Sequence, residues 1–240
     1  MRIETFALPV LAEGLLEGRT AVVIDALRAT SSIIRAIENG CREIIPVVEV
    51  SDAHKVAEKL GRQNTLLCGE RGGLPIEGFD LSNSPGDYSR QRVEGKTAVM
   101  TTTNGTKAIN AANGAKRVLI SAFTNAGQAA KAIEELGDDL AIICAGSNGK
   151  FSAEDSLAAG CIIHHLRRGQ KKAALELCDL SLLAAMLYEQ HKDDLHAPLS
   201  KIKHYRHLQS LGLQADLDYC LKADSANCVP VYSNGSIKLI

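Results

Sequence analysis

The first 150 residues alternate between short uninterrupted apolar runs and segments in which apolar residues recur every three or four positions. The clearest run, Thr20-Ala-Val-Val-Ile-Asp-Ala, has the continuous apolar character of a strand buried on both faces of a parallel sheet. Such runs predict strands at residues 1–7, 20–26, 43–50, 65–68, 96–101, 117–121 and 140–145, with the first at the sheet edge. Helices are predicted from Arg28 to the Asn39-Gly40 stop and at 51–60, 104–112 and 125–136. This alternation predicts an α/β fold with a parallel or mostly parallel sheet covered on both faces.

After residue 150 the apolar spacing becomes helical. Helices are predicted at 153–168, 174–190, 193–211 with a break near Pro198, and 214–221, and the 174–190 helix carries Leu175, Leu182, Leu183, Met186 and Leu187. Asn234-Gly235 is a hairpin signal, so residues 229–240 are predicted to form one or two strands. Because no Pro/Ser-rich linker separates these parts, we interpret residues 1–240 as one domain, with 151–240 as a helical annex and C-terminal strands on the 1–150 core.

The stretch from Gly69 to Pro85 is too polar and too rich in glycine and proline for a helix or a central strand, and a shaped loop is predicted. Between its first glycines lie Glu70 and Arg71, a carboxylate beside a planar, permanently charged guanidinium. Such a pair can hold a metal ion with one group and an oxyanion with the other. The alternative is a surface loop in which both side chains are merely solvated.

The segment Thr101-Thr-Thr-Asn-Gly-Thr-Lys107 spans a predicted switch from strand to helix. Hydroxyls, a glycine and a lysine at a helix N-terminus have the chemistry of a phosphate cradle, although the spacing of the Walker phosphate loop is absent. Thr103 or Asn104 could equally be an ordinary helix cap.

Three carboxylates follow predicted strands or begin a predicted helix: Asp25, Glu70 and Asp155. Because strand ends of one parallel sheet meet at one edge, these residues could converge into the hard-oxygen site that Mg²⁺ prefers. For Asp155 the alternative is a favourable interaction with the helix dipole. The Asp25-Ala-Leu-Arg28 segment lacks the second aspartate of aspartyl-phosphate enzymes, so metal-assisted attack by water is the mechanism that the residues support.

Charge and composition indicate which classes of binding partner are not expected. With 27 Lys and Arg against 28 Asp and Glu, a net charge of -1 and no tryptophan, nothing favours a nucleic-acid partner. Seven scattered cysteines without a Cys-x-x-Cys pair, no signal segment and no long apolar run predict a cytoplasmic protein with no membrane partner. The histidines, including His204 and His207 on one helical face, are not expected to bind metal. Arg167-Arg168 and Lys171-Lys172 are interpreted as a solvated helix end.

Four motifs in order resemble the 2-phosphosulfolactate phosphatase family. They are Val23-Ile-Asp-Ala-Leu-Arg-Ala-Thr-Ser, Gly69-Glu-Arg-Gly-Gly-Leu-Pro followed by Gly78-Phe-Asp-Leu-Ser-Asn-Ser-Pro, Thr101-Thr-Thr-Asn-Gly-Thr, and Cys144-Ala-Gly through Phe151-Ser-Ala-Glu-Asp. The resemblance covers residues from about 20 to 160, with a departure at Ser147-Asn148.

This resemblance implies a three-layer α/β/α fold and Mg²⁺-dependent hydrolysis of 2-phospho-3-sulfolactate to 3-sulfolactate and phosphate, a step in coenzyme M formation. Asp25, Glu70 and Asp155 would then be metal or catalytic carboxylates. The anionic substrate would be held by Arg28, Arg71, Asn83, Ser84, Thr102, Thr103, Asn104, Gly105, Thr106 and Lys107. The alternatives are a phosphatase of the same fold for another phosphorylated hydroxy acid and a non-catalytic binder of anionic metabolites. A homodimer is also among the expectations.

Overall fold

A computed structural model describes residues 1–169 and 174–239 and shows an eleven-stranded mixed sheet with helices on both faces. The strands are β1 (Arg2–Phe6), β2 (Thr20–Ile24), β3 (Glu43–Pro46), β4 (Thr65–Arg71), β5 (Leu74–Pro75), β6 (Thr97–Thr101), β7 (Arg117–Ser121), β8 (Leu140–Cys144), β9 (Glu176–Leu177), β10 (Val231–Ser233) and β11 (Ser236–Lys238). The helices are α1 (Ala29–Glu38), α2 (Val50–Leu60), α3 (Arg90–Val93), α4 (Gly105–Ala111), α5 (Ala126–Leu136), α6 (Ala153–Arg168), α7 (Asp179–His191), α8 (His196–Leu199), α9 (Lys203–Ser210) and α10 (Gln214–Cys220). The prediction of an α/β fold with a covered mixed sheet is confirmed.

The sheet consists of two parallel blocks joined by the C-terminal hairpin. Its strand order is β5-β4-β6-β3-β11-β10-β7-β2-β8-β1-β9. In one block β3 and β4 run parallel to β6, and in the other β7, β2, β8, β1 and β9 run parallel to one another. The hairpin pairs antiparallel with β7 on one side and β3 on the other, so the two blocks run in opposite directions.

The two blocks share one hydrophobic core with α1 and α4. Val23, Ile44 and Met100 from the sheet pack there with side chains of both helices, such as Ile33 and Ile109. The opposite face of the larger block packs against α5, α6 and the later helices, whereas Leu67 and Val99 of the smaller block pack against α2. Neighbouring β2 residues therefore point into different cores, as predicted for a strand buried on both faces.

Several boundaries differ from the sequence prediction. The glycine-rich stretch is not a loop from its start, because β4 continues through Arg71 and turns into β5, with Gly72 and Gly73 at positive φ in the turn. Gly69 lies within the strand and fits only because it lacks a side chain: a Cβ there would be 1.9 Å from the carbonyl oxygen of Thr101. The glycine thus permits close packing of two strands. A glycine-rich sequence alone does not show whether its glycines serve such packing or the close approach of a ligand.

Other corrections concern sheet edges and element boundaries. β1 is not the edge strand, because β9 pairs outside it. Helix α2 begins at Val50, one residue before its predicted start. The segment predicted as a helix over 174–190 contains β9 before α7 begins at Asp179. The predicted interruption near Pro198 is confirmed, because α8 contains this proline and ends at Leu199, before α9 begins at Lys203.

The remaining features agree with the sequence. All seven cysteines are free, and six of them are buried. Within the described ranges no helix is long and apolar enough to cross a membrane. The predicted Asn234-Gly235 hairpin is confirmed, with antiparallel pairing of β10 and β11. The Lys171-Lys172 interpretation concerns residues outside the described part of the chain.

Candidate active site

A cavity of about 110 Å³ lies beside the ends of β2, β4 and β6. Six of the sequence-predicted residues line it: Asp25, Arg28, Glu70, Asn83, Thr103 and Asn104. The sequence argument assumed that these residues converge because their strands end at one common edge of a parallel sheet. The two blocks of the sheet run in opposite directions, so the residues come together for a different reason. A larger cavity, of about 610 Å³, lies between α5 and the end of α6, but it contains none of the predicted residues.

Asp25 follows β2 directly and is held by the first turn of α1. Its backbone N–H donates to Thr30 Oγ1 over 3.1 Å, and Thr30 N donates back to the Asp25 carbonyl oxygen over 3.0 Å. Its carboxylate lines the cavity yet is only 8% exposed. Burial raises the pKa of Asp25 to about 6; the charge of His204 opposes this rise, and the charge of Glu70 adds a smaller contribution to it.

Glu70 connects the β4–β5 hairpin to the end of β6. Its Oε2 accepts from the backbone N–H of Gly73 and its Oε1 from that of Thr103, each over 2.8 Å. The side chain is therefore fixed in the cavity wall opposite Asp25 by two bonds from different elements. Such fixing positions a carboxylate without the cost of ordering it when a ligand binds.

Asp155 occupies a different place from the other two carboxylates. Its Oδ1 accepts from Ala26 N over 2.9 Å and its Oδ2 from Gly146 N over 3.1 Å, so it ties the end of β2 to the end of β8. Burial, followed by the charge of Asp25, raises its pKa well above the usual range. Asp155 is buried and is not among the cavity-lining residues. Its contacts are those of a structural link, and a role in metal binding stays a prediction.

The two predicted arginines differ in position. Arg28 lines the cavity, with Nη2 donating to the Gly73 carbonyl oxygen over 2.8 Å and Nη1 lying 2.5 Å from Oδ2 of Asp216 on α10. Arg71 donates instead to the carbonyl oxygen of Val48 and to Thr101 Oγ1, and it is not among the cavity-lining residues. Arg28 is thus the arginine that the structure brings to the carboxylates.

Asn83 and Thr103 contribute unpartnered polar atoms. Oδ1 of Asn83 and Oγ1 of Thr103 are buried and have no hydrogen-bond partner within the described residues. Both residues line the cavity. Buried polar atoms are almost always paired in folded proteins, so two orphans in one cavity wall indicate a place where a polar ligand binds. Ser84 has a different role, since its hydroxyl donates to Oδ1 of Asp216.

The remaining residues of the predicted cradle are used for folding or lie outside the cavity. Thr102 Oγ1 accepts from Thr106 N over 3.1 Å, and Thr106 Oγ1 donates to the Thr102 carbonyl oxygen over 3.1 Å. Asn104 is at the N-cap position of α4, as one of the two sequence alternatives had it, but its side chain makes no capping hydrogen bond, and Thr102 Oγ1 pairs with the N–H of Thr106 instead. A Cβ added at Gly105 would lie 2.7 Å from Asp25 Oδ2, and Lys107 is exposed on α4.

A partly buried ion pair that could not be foreseen from the sequence borders the cavity. Nδ1 of His204 lies 2.6 Å from Oε1 of Glu154. Burial alone would raise the pKa of Glu154, but the hydrogen bond and charge of His204 outweigh it and lower that pKa. For His204 burial acts to lower the pKa, and Glu154 raises it overall. His204 and His207 both line the cavity, so their shared helical face was the available signal.

Asp216 is the second residue that sequence reasoning missed. It is buried on α10, and one carboxylate oxygen faces Arg28 while the other accepts from Ser84. No spacing in the sequence links an aspartate at 216 to an arginine at 28, because only the docking of α10 brings them together.

Magnesium fits this site in a restricted form. No group of three or more His, Cys, Asp or Glu side chains able to hold a metal ion occurs in residues 1–169 and 174–239. However, Mg²⁺ is usually bound through one or two carboxylates, with waters and substrate oxygens completing its shell. Asp25 and Glu70, which share the cavity, supply that number of ligands.

Comparison with known proteins identifies the family. The sequence model that describes the 2-phosphosulpholactate phosphatase family matches residues 9–235 of this chain. A probable 2-phosphosulfolactate phosphatase of Clostridium novyi is 46% identical over 222 residues, which cover 92% of either chain. A protein of the same name from Caldicellulosiruptor saccharolyticus is 44% identical, and the match covers 98% of both chains. Another from Clostridium beijerinckii is 42% identical, with 95% of this chain and 94% of the relative covered. With matches of this extent, the chain belongs to the 2-phosphosulfolactate phosphatase family.

Proposed function

We propose that this chain is a phosphoric monoester hydrolase that converts 2-phospho-3-sulfolactate and water into 3-sulfolactate and phosphate. The observation that carries the proposal is the meeting of Asp25, Glu70 and Arg28 in one cavity whose wall also contains the unpartnered atoms of Asn83 and Thr103. Two carboxylates and a guanidinium are suited to a phosphate ester and the water that attacks it. The relatives, each named as a probable 2-phosphosulfolactate phosphatase, supply the substrate class.

The size of the cavity suits the phosphoryl group alone. A second cavity of about 320 Å³ shares Ser147, Asn148, His204 and His207 with the first. Its wall also contains Lys150 and Lys203, both exposed. We place the phosphoryl group in the first cavity and the organic part in the second, where the two lysines offer positive charge to the carboxylate and sulfonate.

The residues of the first cavity have separate tasks in this proposal. Arg28 binds phosphoryl oxygens, and Asp25 accepts a proton from the attacking water as the water oxygen bonds to phosphorus. The bond between phosphorus and the ester oxygen breaks, and that oxygen receives a proton from His204, which Glu154 keeps protonated. Water thus supplies the oxygen of the released phosphate, and the two proton transfers balance.

Magnesium is part of the proposal, held by Asp25 and Glu70 together with waters. When bound, it would polarise a phosphoryl oxygen and neutralise developing negative charge. Asp25 would then serve both as a ligand of the metal and as the base that accepts the proton of water. The cytoplasmic location and the link to coenzyme M formation stay predictions, as does the homodimer.

The test is phosphate release from 2-phospho-3-sulfolactate and from 2-phospholactate, with Mg²⁺ and with EDTA. We expect kcat/KM to be at least ~10-fold higher for the sulfonated substrate, because a second anion meets the lysines. EDTA should abolish release, and added Mg²⁺ should restore it. Equal rates on both esters would favour the related phosphatase with another substrate. No release from either ester would favour a non-catalytic binder, and release unaffected by EDTA would remove magnesium from the proposal.

A further inference from the structure

The arrangement of side chains on α7 is the reverse of an ordinary amphipathic helix. Its buried face carries Ser181, Ala184, Ala185 and Tyr188. Its large apolar side chains point outward: Leu182, Leu183, Met186 and Leu187 are 43%, 61%, 58% and 38% exposed. These four side chains were expected only as apolar residues of a helix at 174–190, and the structure turns them toward solvent.

Close packing of α7 on α6 explains which face is buried. A Cβ added at Gly160 of α6 would lie 2.1 Å from the carbonyl oxygen of Ala184. The two backbones approach so closely that only small residues fit between them, and the four large side chains have no space on that side. They form a continuous apolar surface of a kind that commonly marks an interaction site in soluble proteins.

The exposed face of α7 is symmetric along the helix. Asp179 and Gln190 are exposed at its two ends, and the four apolar residues lie between them. Every pair has the same midpoint, between residues 184 and 185: Asp179 with Gln190, Leu182 with Leu187, and Leu183 with Met186. A second copy of the helix in antiparallel orientation would therefore meet apolar residues with apolar residues along the whole face.

Charges at the ends favour the same orientation. In an antiparallel pair, Asp179 at the N-terminus of one helix lies beside the partner's C-terminal turn, which carries His191 and is followed by Lys192. The carboxylate can also accept a hydrogen bond from the amide of Gln190. The two helix dipoles oppose each other, which is favourable as well. A parallel pair would place the two aspartates together.

We propose that α7 is the centre of an isologous homodimer interface in which two copies of this helix pack antiparallel about a two-fold axis near residues 184 and 185. An isologous interface requires a self-complementary surface, and this face meets that requirement. The four apolar side chains would form its dry core. Flanking polar groups such as Glu189 would form the rim of an interface of about 800 Å² per subunit. None of these residues lines the catalytic cavity, so the inference is independent of the proposed function.

The first test measures molecular mass in solution by light scattering and sedimentation. The wild-type chain should have twice the monomer mass of 25.6 kDa. The double variant Leu183→Glu/Met186→Glu should be monomeric, with a dissociation constant raised at least ~100-fold, because two charges enter the apolar core of the interface. The matched control is Val10→Glu/Leu11→Glu, which changes another exposed apolar pair, 60% and 54% exposed, and should remain dimeric. A monomeric wild type, or a dimer broken only by the control variant, would overturn the proposal.

The second test fixes the orientation without touching apolar residues. The single variants Asp179→Cys and Gln190→Cys are mixed and treated with a short bifunctional maleimide, with the wild type measuring background from native cysteines. The antiparallel model places 179 of one copy beside 190 of the other, whereas the two copies of 179 are about 16 Å apart along the helix direction. The mixture should therefore cross-link at least ~10-fold more than either variant alone. Cross-linking that is equal in the separate variants would contradict the antiparallel pairing.

Discussion

Glu154 and His204 lie fifty positions apart in the sequence and 2.6 Å apart in the structure, Oε1 to Nδ1, where they form a partly buried ion pair beside the candidate active-site cavity. Glu154 lies in the first turn of α6 and His204 in the first turn of α9, so the pair links two helices of the annex. Its two pKa shifts have opposite directions, and both favour the ionised pair.

This pair predicts a specific pH dependence of stability. Because the folded pKa of His204 is raised, its contribution is fully present below the unfolded pKa of about 6.5 and is lost as pH rises through the folded value. The free energy of unfolding of the wild type minus that of His204→Gln should therefore be constant near pH 5.5 to 6.5 and shrink above it. Denaturant titration at several pH values measures this difference. A difference that stays the same up to pH 9 would contradict the ion pair.

The carboxylate of Asp25 should be required for activity while lowering the stability of the fold. We expect Asp25→Asn to lower kcat at least ~100-fold, since the amide can neither accept the proton of water nor bind Mg²⁺ as well. Burial raises the pKa of Asp25 to about 6, so the charged form is unfavourable at neutral pH and the variant should unfold at the same temperature or higher. Phosphate-release assays and thermal unfolding give the two readings. Asp193→Asn, at an exposed position, is the control and should change neither.

A double variant should separate the contribution of the Arg28–Asp216 ion pair to stability from the contribution of Arg28 to anion binding. Arg28→Ala alone leaves the buried Asp216 without its partner, and such a loss typically costs about 3–5 kcal/mol. Arg28→Ala/Asp216→Asn removes both charges, so it should recover most of the unfolding temperature. Its inhibition constant for inorganic phosphate should still be at least ~10-fold higher, because the anion has lost its guanidinium.

The same inhibition measurement decides the role of Arg71. The family resemblance implies that Arg71 holds the anionic substrate, whereas in the structure its guanidinium donates to the Val48 carbonyl oxygen and to Thr101 Oγ1. A raised inhibition constant with an unchanged unfolding temperature would support anion binding by Arg71. A lowered unfolding temperature with an unchanged constant would support its structural contacts.

Gly105 should be intolerant of any side chain. A Cβ there would lie 2.6 Å from the Ala29 Cβ and 2.7 Å from Asp25 Oδ2, so Gly105→Ala must displace α1 or the catalytic carboxylate. We expect a destabilisation of about 1–3 kcal/mol and a loss of activity. The control Gly86→Ala places a Cβ at an ordinary 3.6 Å from Ser84 Oγ and should be close to neutral. Chemical denaturation with parallel assays would show whether the two glycines differ as stated.

The sequence by itself determined most of the local elements and identified six of the residues that line the candidate site. The continuous apolar runs identified β2, β7 and β8, and the Asn234-Gly235 signal identified the last hairpin, because period and turn chemistry are local properties. Polar residues that follow buried strands pointed to Asp25, Glu70 and Thr103, since a charge at such a place requires a partner. These residues do line one cavity.

Only the tertiary structure decided how distant elements meet. The C-terminal hairpin enters the middle of the sheet and reverses one block against the other, while α9 brings His204 to the cavity and α10 brings Asp216 to Arg28. The structure also placed Asp155 as a link between strands and turned the apolar face of α7 outward, where the proximity of Gly160 leaves no room for it. Such outcomes depend on packing between segments far apart in the chain, and the pattern of residues within one segment carries no information about which neighbour it will meet.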